Sequence, residues 1–311
     1  MRASGARTHD ERRGLLAAAG AAILYGAAYP ATAIALRSFS PLAIAGIACT
    51  IALAFVIVAA WLGFIRRPQF GSLKGGGLVR LVVLAGLGGL GFVAAINIAV
   101  SLSGSTVTGF VAPLYAVSAA LLAIPILGEH IHATTAAAFG LALVGTLLLA
   151  GADPTPETLT GVTMAAAAAV MFGLYMVLAR RWGRPYGLDG TLVTIANLVG
   201  RGPVLLVFEV LRSPGTVIPA DPDPGAVIAL LSIAFGASST ANLLLMASVR
   251  RVPARRTSAA LLLAPISSAV IGAVLLGDRL TLQGAIGAVL ILLGIAGASG
   301  LVPRRSAPVP A

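Results

Sequence analysis

Ten apolar stretches, each about long enough to cross a bilayer, occupy almost the whole chain. No other feature constrains the fold as much, because a bilayer core takes about 20 apolar residues of helix. The stretches run Leu15–Leu36, Leu42–Ile65, Leu81–Leu102, Val107–Leu127, Ala133–Gly151, Gly161–Ala179, Thr191–Leu211, Ala226–Ala247, Thr257–Leu276 and Leu282–Leu301. The links between them are too short for soluble domains. The sequence therefore predicts an all-α membrane protein of ten transmembrane helices. A barrel strand would alternate apolar and polar over segments of about 10 residues, and these runs of Leu, Ala, Val and Gly do not alternate. Lipid offers no partner to a backbone polar group, and a helix pairs its own. Composition agrees, with 58% hydrophobic and only 10% charged residues.

The net charge of +11 would suit a nucleic-acid binder, but its distribution excludes that partner. With the N-terminus in the cytoplasm and ten alternating spans, 17 of the 21 Lys and Arg fall on the inner side. They are Arg2, Arg7, Arg12 and Arg13; Arg66, Arg67, Lys74 and Arg80; Arg180, Arg181 and Arg184; Arg250, Arg251, Arg255 and Arg256; Arg304 and Arg305. Arg37, Arg212 and Arg279 fall outside, and Arg201 falls within span 7. This is the positive-inside bias, and it predicts an inner-membrane protein with both termini cytoplasmic. The first span follows a basic tail like a signal peptide, but it exceeds the usual apolar run of about 7–15 residues, so it reads as a retained helix. The single cysteine, Cys49, excludes an intrachain disulfide and reads as a buried small hydrophobe. His9, His130 and His132 lie outside the spans, and no Cys/His cluster suggests a metal. No cofactor is expected, and oligomeric state is not legible.

The ten spans divide into two fives. Val100 to Gly151 aligns with Val249 to Gly300 without a gap, at an offset of 149. Thr108 falls on Thr257, Gly128-Glu129 on Gly277-Asp278, and Gly145 on Gly294. Tyr25-Gly26 matches Phe172-Gly173 more loosely. Five is odd, so the second half enters the membrane in the opposite sense. Inverted repeats of this kind are an architecture of secondary transporters, with the site between the halves. The expected organisation is a cytoplasmic basic tail at 1–14, a first five-helix repeat at 15–151, a periplasmic linker at 152–160, a second five-helix repeat at 161–301 and a cytoplasmic tail at 302–311.

The segment Val249-Arg250-Arg251-Val252-Pro253-Ala254-Arg255-Arg256-Thr257, then Ala264-Pro265 and Leu276-Gly277-Asp278-Arg279-Leu280-Thr281, resembles the second half of EamA-type proteins of the drug/metabolite transporter superfamily. Ala112-Pro113 and Leu127-Gly128-Glu129 carry the same pattern in the first half, and Leu24-Tyr25-Gly26-Ala27-Ala28-Tyr29 resembles the family's aromatic-Gly start. The resemblance extends from Leu15 to Leu301. It implies a ten-helix, cofactor-free carrier, not an enzyme, that exports small metabolites, amino acids among them, often in exchange for protons. There are departures. The second acid is Asp278 where Glu is usual. Pro265 lies 13 residues before its acid but Pro113 lies 16 before Glu129. Ala48 stands where many relatives carry an arginine, so no single relative's substrate transfers to this chain.

Arg201 is the one charge well inside a span, where insertion costs at least about 2.5–3.5 kcal/mol and the side chain faces the bundle interior or a watery cavity. Thr194, Asn197 and Arg201 share one helix face. Two readings stand. Arg201 holds an anionic substrate group through its planar fork, or it is structural, bonded to helix-end carbonyls or snorkelling. Pro203 frees backbone carbonyls for either. Glu209 is the candidate for proton coupling, with a membrane-edge pair to Arg212 as the other reading. Tyr25, Tyr29 and Thr32 lie on one face of span 1, with Pro30 expected to break the helix beside them, and Phe172 and Tyr175 lie at the related place in span 6. Their mid-span depth favours a cavity over an interfacial belt. Asn97, Asn242 and Ser239 are further candidates, for the cavity or for bonding between helices. Glu129 and Asp278 at helix ends suggest pairing with Arg279 or His130, or simply a tight turn.

The sequence thus predicts a secondary exporter of a small polar metabolite. Two alternatives stand beside it: a multidrug exporter of hydrophobic cations, which a cavity-facing Arg201 would disfavour, and a membrane enzyme acting on lipid, for which Glu129-His130 is the only near match.

Overall fold

A computed structural model describes residues 2–65, 67–128, 133–152, 154–213, 217, 219–249, 251, 252, 257 and 260–298. Among them every regular element is helical. Six helices are long and apolar enough to cross a membrane: Glu11–Ala35, Pro41–Trp61, Gly77–Leu127, Pro156–Trp182, Gly190–Arg212 and Pro224–Leu245. Shorter apolar helices lie at Ala136–Ala150, Leu263–Leu276 and Leu282–Gly297. Large apolar side chains such as Trp61, Leu211, Ile228 and Val274 are exposed on the outside of the bundle, which is favourable only against lipid. The protein is a multi-pass membrane protein.

Local signals start and stop these helices. α1 spans Arg2–Ala35 and α2 spans Pro41–Trp61. The Ser40 side chain accepts from the Ala43 N–H at 3.1 Å, and Pro41 occupies the first position, where no N–H is needed. Thr155-Pro156 and Asp223-Pro224 open α7 (Pro156–Trp182) and α10 (Pro224–Ser232) in the same way. α3 (Gly77–Leu84) passes through a π turn at Ala85–Gly91 into α4 (Phe92–Val111). Gly104 interrupts α4 with φ 78°, a conformation that a side chain would strain. A 3-10 turn leads to α5 (Tyr115–Leu127), and α6 covers Ala133–Ala150. α8 is Gly190–Arg201 and α9 is Pro203–Arg212. After α10, a second π turn at Ile233–Thr240 leads into α11 (Ala241–Val249). α12 (Leu263–Leu276) and α13 (Leu282–Ala298) complete the described chain.

One expectation needs correction. Pro30 does not break α1, which runs on to Ala35; Pro30 is fully buried, and packing holds the helix where a hydrogen bond is lost. Span 7 crosses as one apolar segment, Gly190–Arg212, but Gly202 leaves helical geometry at φ −98°, ψ −95° and divides it into α8 and α9. The backbone of α1 begins at Arg2, ahead of the first apolar stretch.

The two halves meet through the same residues in both directions. A Cβ on Gly145 would lie 2.6 Å from the Gly287 carbonyl oxygen and 2.8 Å from the Ile291 nitrogen. One on Gly294 would lie 2.7 Å from the Ala138 carbonyl oxygen and 2.9 Å from the Ala142 nitrogen. Each residue of the second contact is the repeat mate, 149 positions away, of one in the first. Likewise Gly26 sits on Ala264 and Ser267 while Gly173 sits on Ser118 and Ala119. Gly46 approaches Leu206 and Gly202 approaches Thr50, two pairs related by 156 positions. Reciprocal contacts are what a two-fold relation produces, and the small residues let the backbones come this close. Gly128 and Gly277 end their helices with nearly equal φ, 72° and 73°. The π turns match as well, since Ala85–Gly91 falls on 234–240 at the offset of 149. The apolar core repeats this plan, with Ala142 and Leu149 of α6 against Ala288 and Ile291 of α13.

Candidate functional site

Arg201 is the last residue of α8, at the break in span 7. The break depends on Gly202, where a Cβ would come within 2.8 Å of the Thr50 nitrogen. A positive charge at a helix C-terminus is favourable, but the guanidinium makes no hydrogen bond to a described residue, and its Nε is buried without a partner. One turn earlier, Asn197 is 7% exposed and its Oδ1 is also buried without a partner. Such groups normally find partners. Here a donor and an acceptor stand unfilled on one face.

α8 has two distinct faces. Leu192, Ile195, Ala196 and Val199 line a lateral apolar groove of about 430 Å³ against Leu81, Val82 and Ala85. At 3.6 residues per turn, Asn197 and Arg201 point the other way, so the large groove is not the site of the polar groups. On the polar side, Arg201 is an electrostatic neighbour of Tyr25, Tyr175 and Cys49, and the Asn197 side chain reaches Tyr175. The first π turn closes this side, with Gly88 against the Tyr175 ring and Gly89 against the Asn197 carbonyl. Phe172 stacks among Phe92, Tyr115 and Tyr175 at centroid distances of 4.5, 5.0 and 5.2 Å.

The second π turn supplies the opposite wall. Tyr25 Oη donates to Asn242 Oδ1 at 2.9 Å, and Asn242 Nδ2 donates to the Ser238 carbonyl at 2.9 Å. A π turn leaves carbonyls outside the i→i−4 ladder; Asn242 and Ser239, which donates to the Ala234 carbonyl at 2.8 Å, satisfy them. Of the sequence candidates, Arg201, Asn197, Tyr25, Tyr175 and Asn242 thus form one neighbourhood. Tyr29 lies at its margin, beside Gly109 and within electrostatic range of Tyr115. The Asn97 Nδ2 donates to the Val93 carbonyl of its own helix at 2.8 Å. Ser239 likewise bonds within its helix. Tyr115 went unnoticed in the sequence, although it is a mid-span aromatic two residues beyond Pro113, the same signal that drew attention to Tyr25.

Two carboxylates lie elsewhere. Glu209 is fully buried in α9, accepts from Ser40 Oγ and pairs with Arg212 at 3.2 Å. Asp278 Oδ2 accepts from Ser105 at 2.8 Å and Thr106 at 2.7 Å, not from Arg279. Glu129, His130, His132, Asp153, Arg250 and Pro253 to Arg256 lie outside the described residues. Cys49 is buried in the core as expected. Among the described residues no group of His, Cys, Asp and Glu could hold a metal ion.

Comparison with known proteins fits this arrangement. No curated protein sequence matches the chain. Among solved structures, a crystal structure described simply as that of a protein shares the fold with a TM-score of 0.63 at 22% identity, over 93% of this chain and 96% of that one. The model of the EamA-like transporter family matches twice, over residues 12–151 and 159–300. Two matches tiling the chain, two reciprocally packed halves and a polar cluster at a broken helix agree: this chain belongs to the EamA-like transporter family.

Proposed function

We propose that the protein is a secondary active exporter of a small polar metabolite, with amino acids among the candidates, working by alternating access between two inverted five-helix repeats in the cytoplasmic membrane. The observation that carries this reading is the pair of buried, unpartnered atoms Arg201 Nε and Asn197 Oδ1 at the break in span 7. A broken helix between repeats is where transporters of this architecture bind. The guanidinium takes a carboxylate or similar anion, Asn197 accepts from a donor on the same molecule, and Tyr25, Tyr175 and Tyr29 supply walls that suit an amphipathic solute. Ten spans follow when Gly77–Leu127 is divided at Gly104. With both termini cytoplasmic, the basic loops lie inside. Protons are the proposed coupling ion, with Glu209 as the titrating group.

Metabolite profiling of the medium around cells overproducing the protein tests this reading. A small anionic or zwitterionic metabolite should accumulate outside. Arg201→Ala should abolish that accumulation while leaving the protein in the membrane, and Arg201→Lys should restore only part of it, since lysine lacks the planar fork. Full export by the alanine variant would show that Arg201 does not hold the substrate, and would favour the export of hydrophobic cations.

A further inference from the structure

A second cavity lies away from this cluster, at the end of the bundle where α7 stops and α3 starts. It is about 490 Å³ and is lined by Arg80, Leu178, Arg181, Trp182, Pro185 and Tyr186. The Arg80 guanidinium carbon lies over the Tyr186 ring, 3.6 Å from its centroid, with Trp182 at 5.7 Å. Its Nη1 donates to the Gly76 carbonyl at 3.0 Å, but its Nε is buried without a partner. Arg181 gives one Nη1 bond to the Ile126 carbonyl at 2.8 Å. No carboxylate lines the cavity among the described residues. Asp189, the acid on the same loop, is already occupied by the N–H groups of Gln69, Thr191 and Leu192 at 3.1, 2.8 and 3.0 Å.

Position narrows the ligand. Leu78, Val79 and Val82 flank Arg80 and are 64, 67 and 63% exposed, so this stretch of α3 stands in hydrocarbon. Trp182 and Tyr186 are the side chains that settle at headgroup depth. The site is also built, not frayed: the Lys74 N–H donates to the Tyr186 carbonyl at 3.2 Å and Ser72 Oγ to that of Gly187 at 2.8 Å. The contact with Tyr186 holds the guanidinium in place and leaves its Nε for an oxygen, and such N–H groups are how arginine grips phosphate. The geometry points to a binding site for a phosphate group, supplied by the headgroup of an anionic phospholipid in the adjacent leaflet and held by Arg80 and Arg181. It is separate from the transport site and does not depend on the substrate proposed above.

Native mass spectrometry of the full-length protein in detergent, with added phosphatidylglycerol or phosphatidylcholine, tests the proposal. The wild type should retain phosphatidylglycerol in preference to phosphatidylcholine. Arg80→Gln with Arg181→Gln should lower that retention roughly tenfold or more. Arg181→Gln alone, which leaves the Arg80–Tyr186 contact intact, should give a smaller loss, with the melting temperature of each variant measured alongside to confirm folding. Arg184→Gln, a charge on the same loop outside the cavity, should change nothing. Displacement of the lipid by millimolar inorganic phosphate would keep the phosphate site but assign it to the soluble anion. Equal retention of both lipids, or undiminished phosphatidylglycerol on the double variant, would overturn it.

Discussion

The Tyr25 hydroxyl donates to Oδ1 of Asn242 across 217 positions of sequence, at 2.9 Å, and so ties α1 to the π turn of the second half. Asn242 uses its other end on the Ser238 carbonyl. The pair therefore has two functions: it closes one wall of the polar cluster and it satisfies backbone that a π turn leaves open.

Tyr25→Phe should cost about 0.6 kcal/mol, the typical worth of a hydrogen bond between membrane helices. Asn242→Ala should cost more, about 1–3 kcal/mol, because it also strands a backbone carbonyl. Thermal unfolding in detergent checks the order. Equal losses would mean that Asn242 does not satisfy the π turn.

Gly145 and Gly294 make repeat-related contacts, so they should respond alike. Each alanine variant places a methyl group under 3 Å from backbone atoms of the facing helix, and should lose about 1–3 kcal/mol. Melting temperatures of the two variants test this, and a large loss in one with none in the other would deny the reciprocity.

How much of this was legible beforehand differs from residue to residue. Arg201 stood out because a lone charge in an apolar run costs too much to be incidental, and Asn197 followed from helical spacing. The glycine pairs were visible as an offset, because close backbone approach leaves no substitute for a small residue. The π turns were not legible, since an apolar run looks the same whether its helix closes at i+4 or i+5. Nor was the split of span 7; Pro203 was visible, but the departure occurs at Gly202, whose backbone is set by the approach of Thr50. Spacing also does not show which way an amide or hydroxyl turns: Asn97 and Ser239 reach back to carbonyls of their own helices.

Glu209→Gln separates coupling from stability. The amide still accepts from Ser40 but loses the charge that the fully buried Glu209 presents to Arg212, so the melting temperature should fall by what about 1–3 kcal/mol would cause. Export measured at several external pH values should nevertheless lose its dependence on the proton gradient. An unchanged dependence would remove Glu209 from the coupling scheme.

Reporter fusions at the two termini should both read as cytoplasmic, since 17 of 21 basic residues then lie inside. An external signal from either end would refute the count of ten spans and, with it, the inverted order of the halves.

The paired π turns also bear on helix register. Ala85–Gly91 of the first half falls on 234–240 of the second at an offset of 149. Deleting one residue from only one of the two segments would rotate the rest of that helix by about 100° and set the two halves out of step.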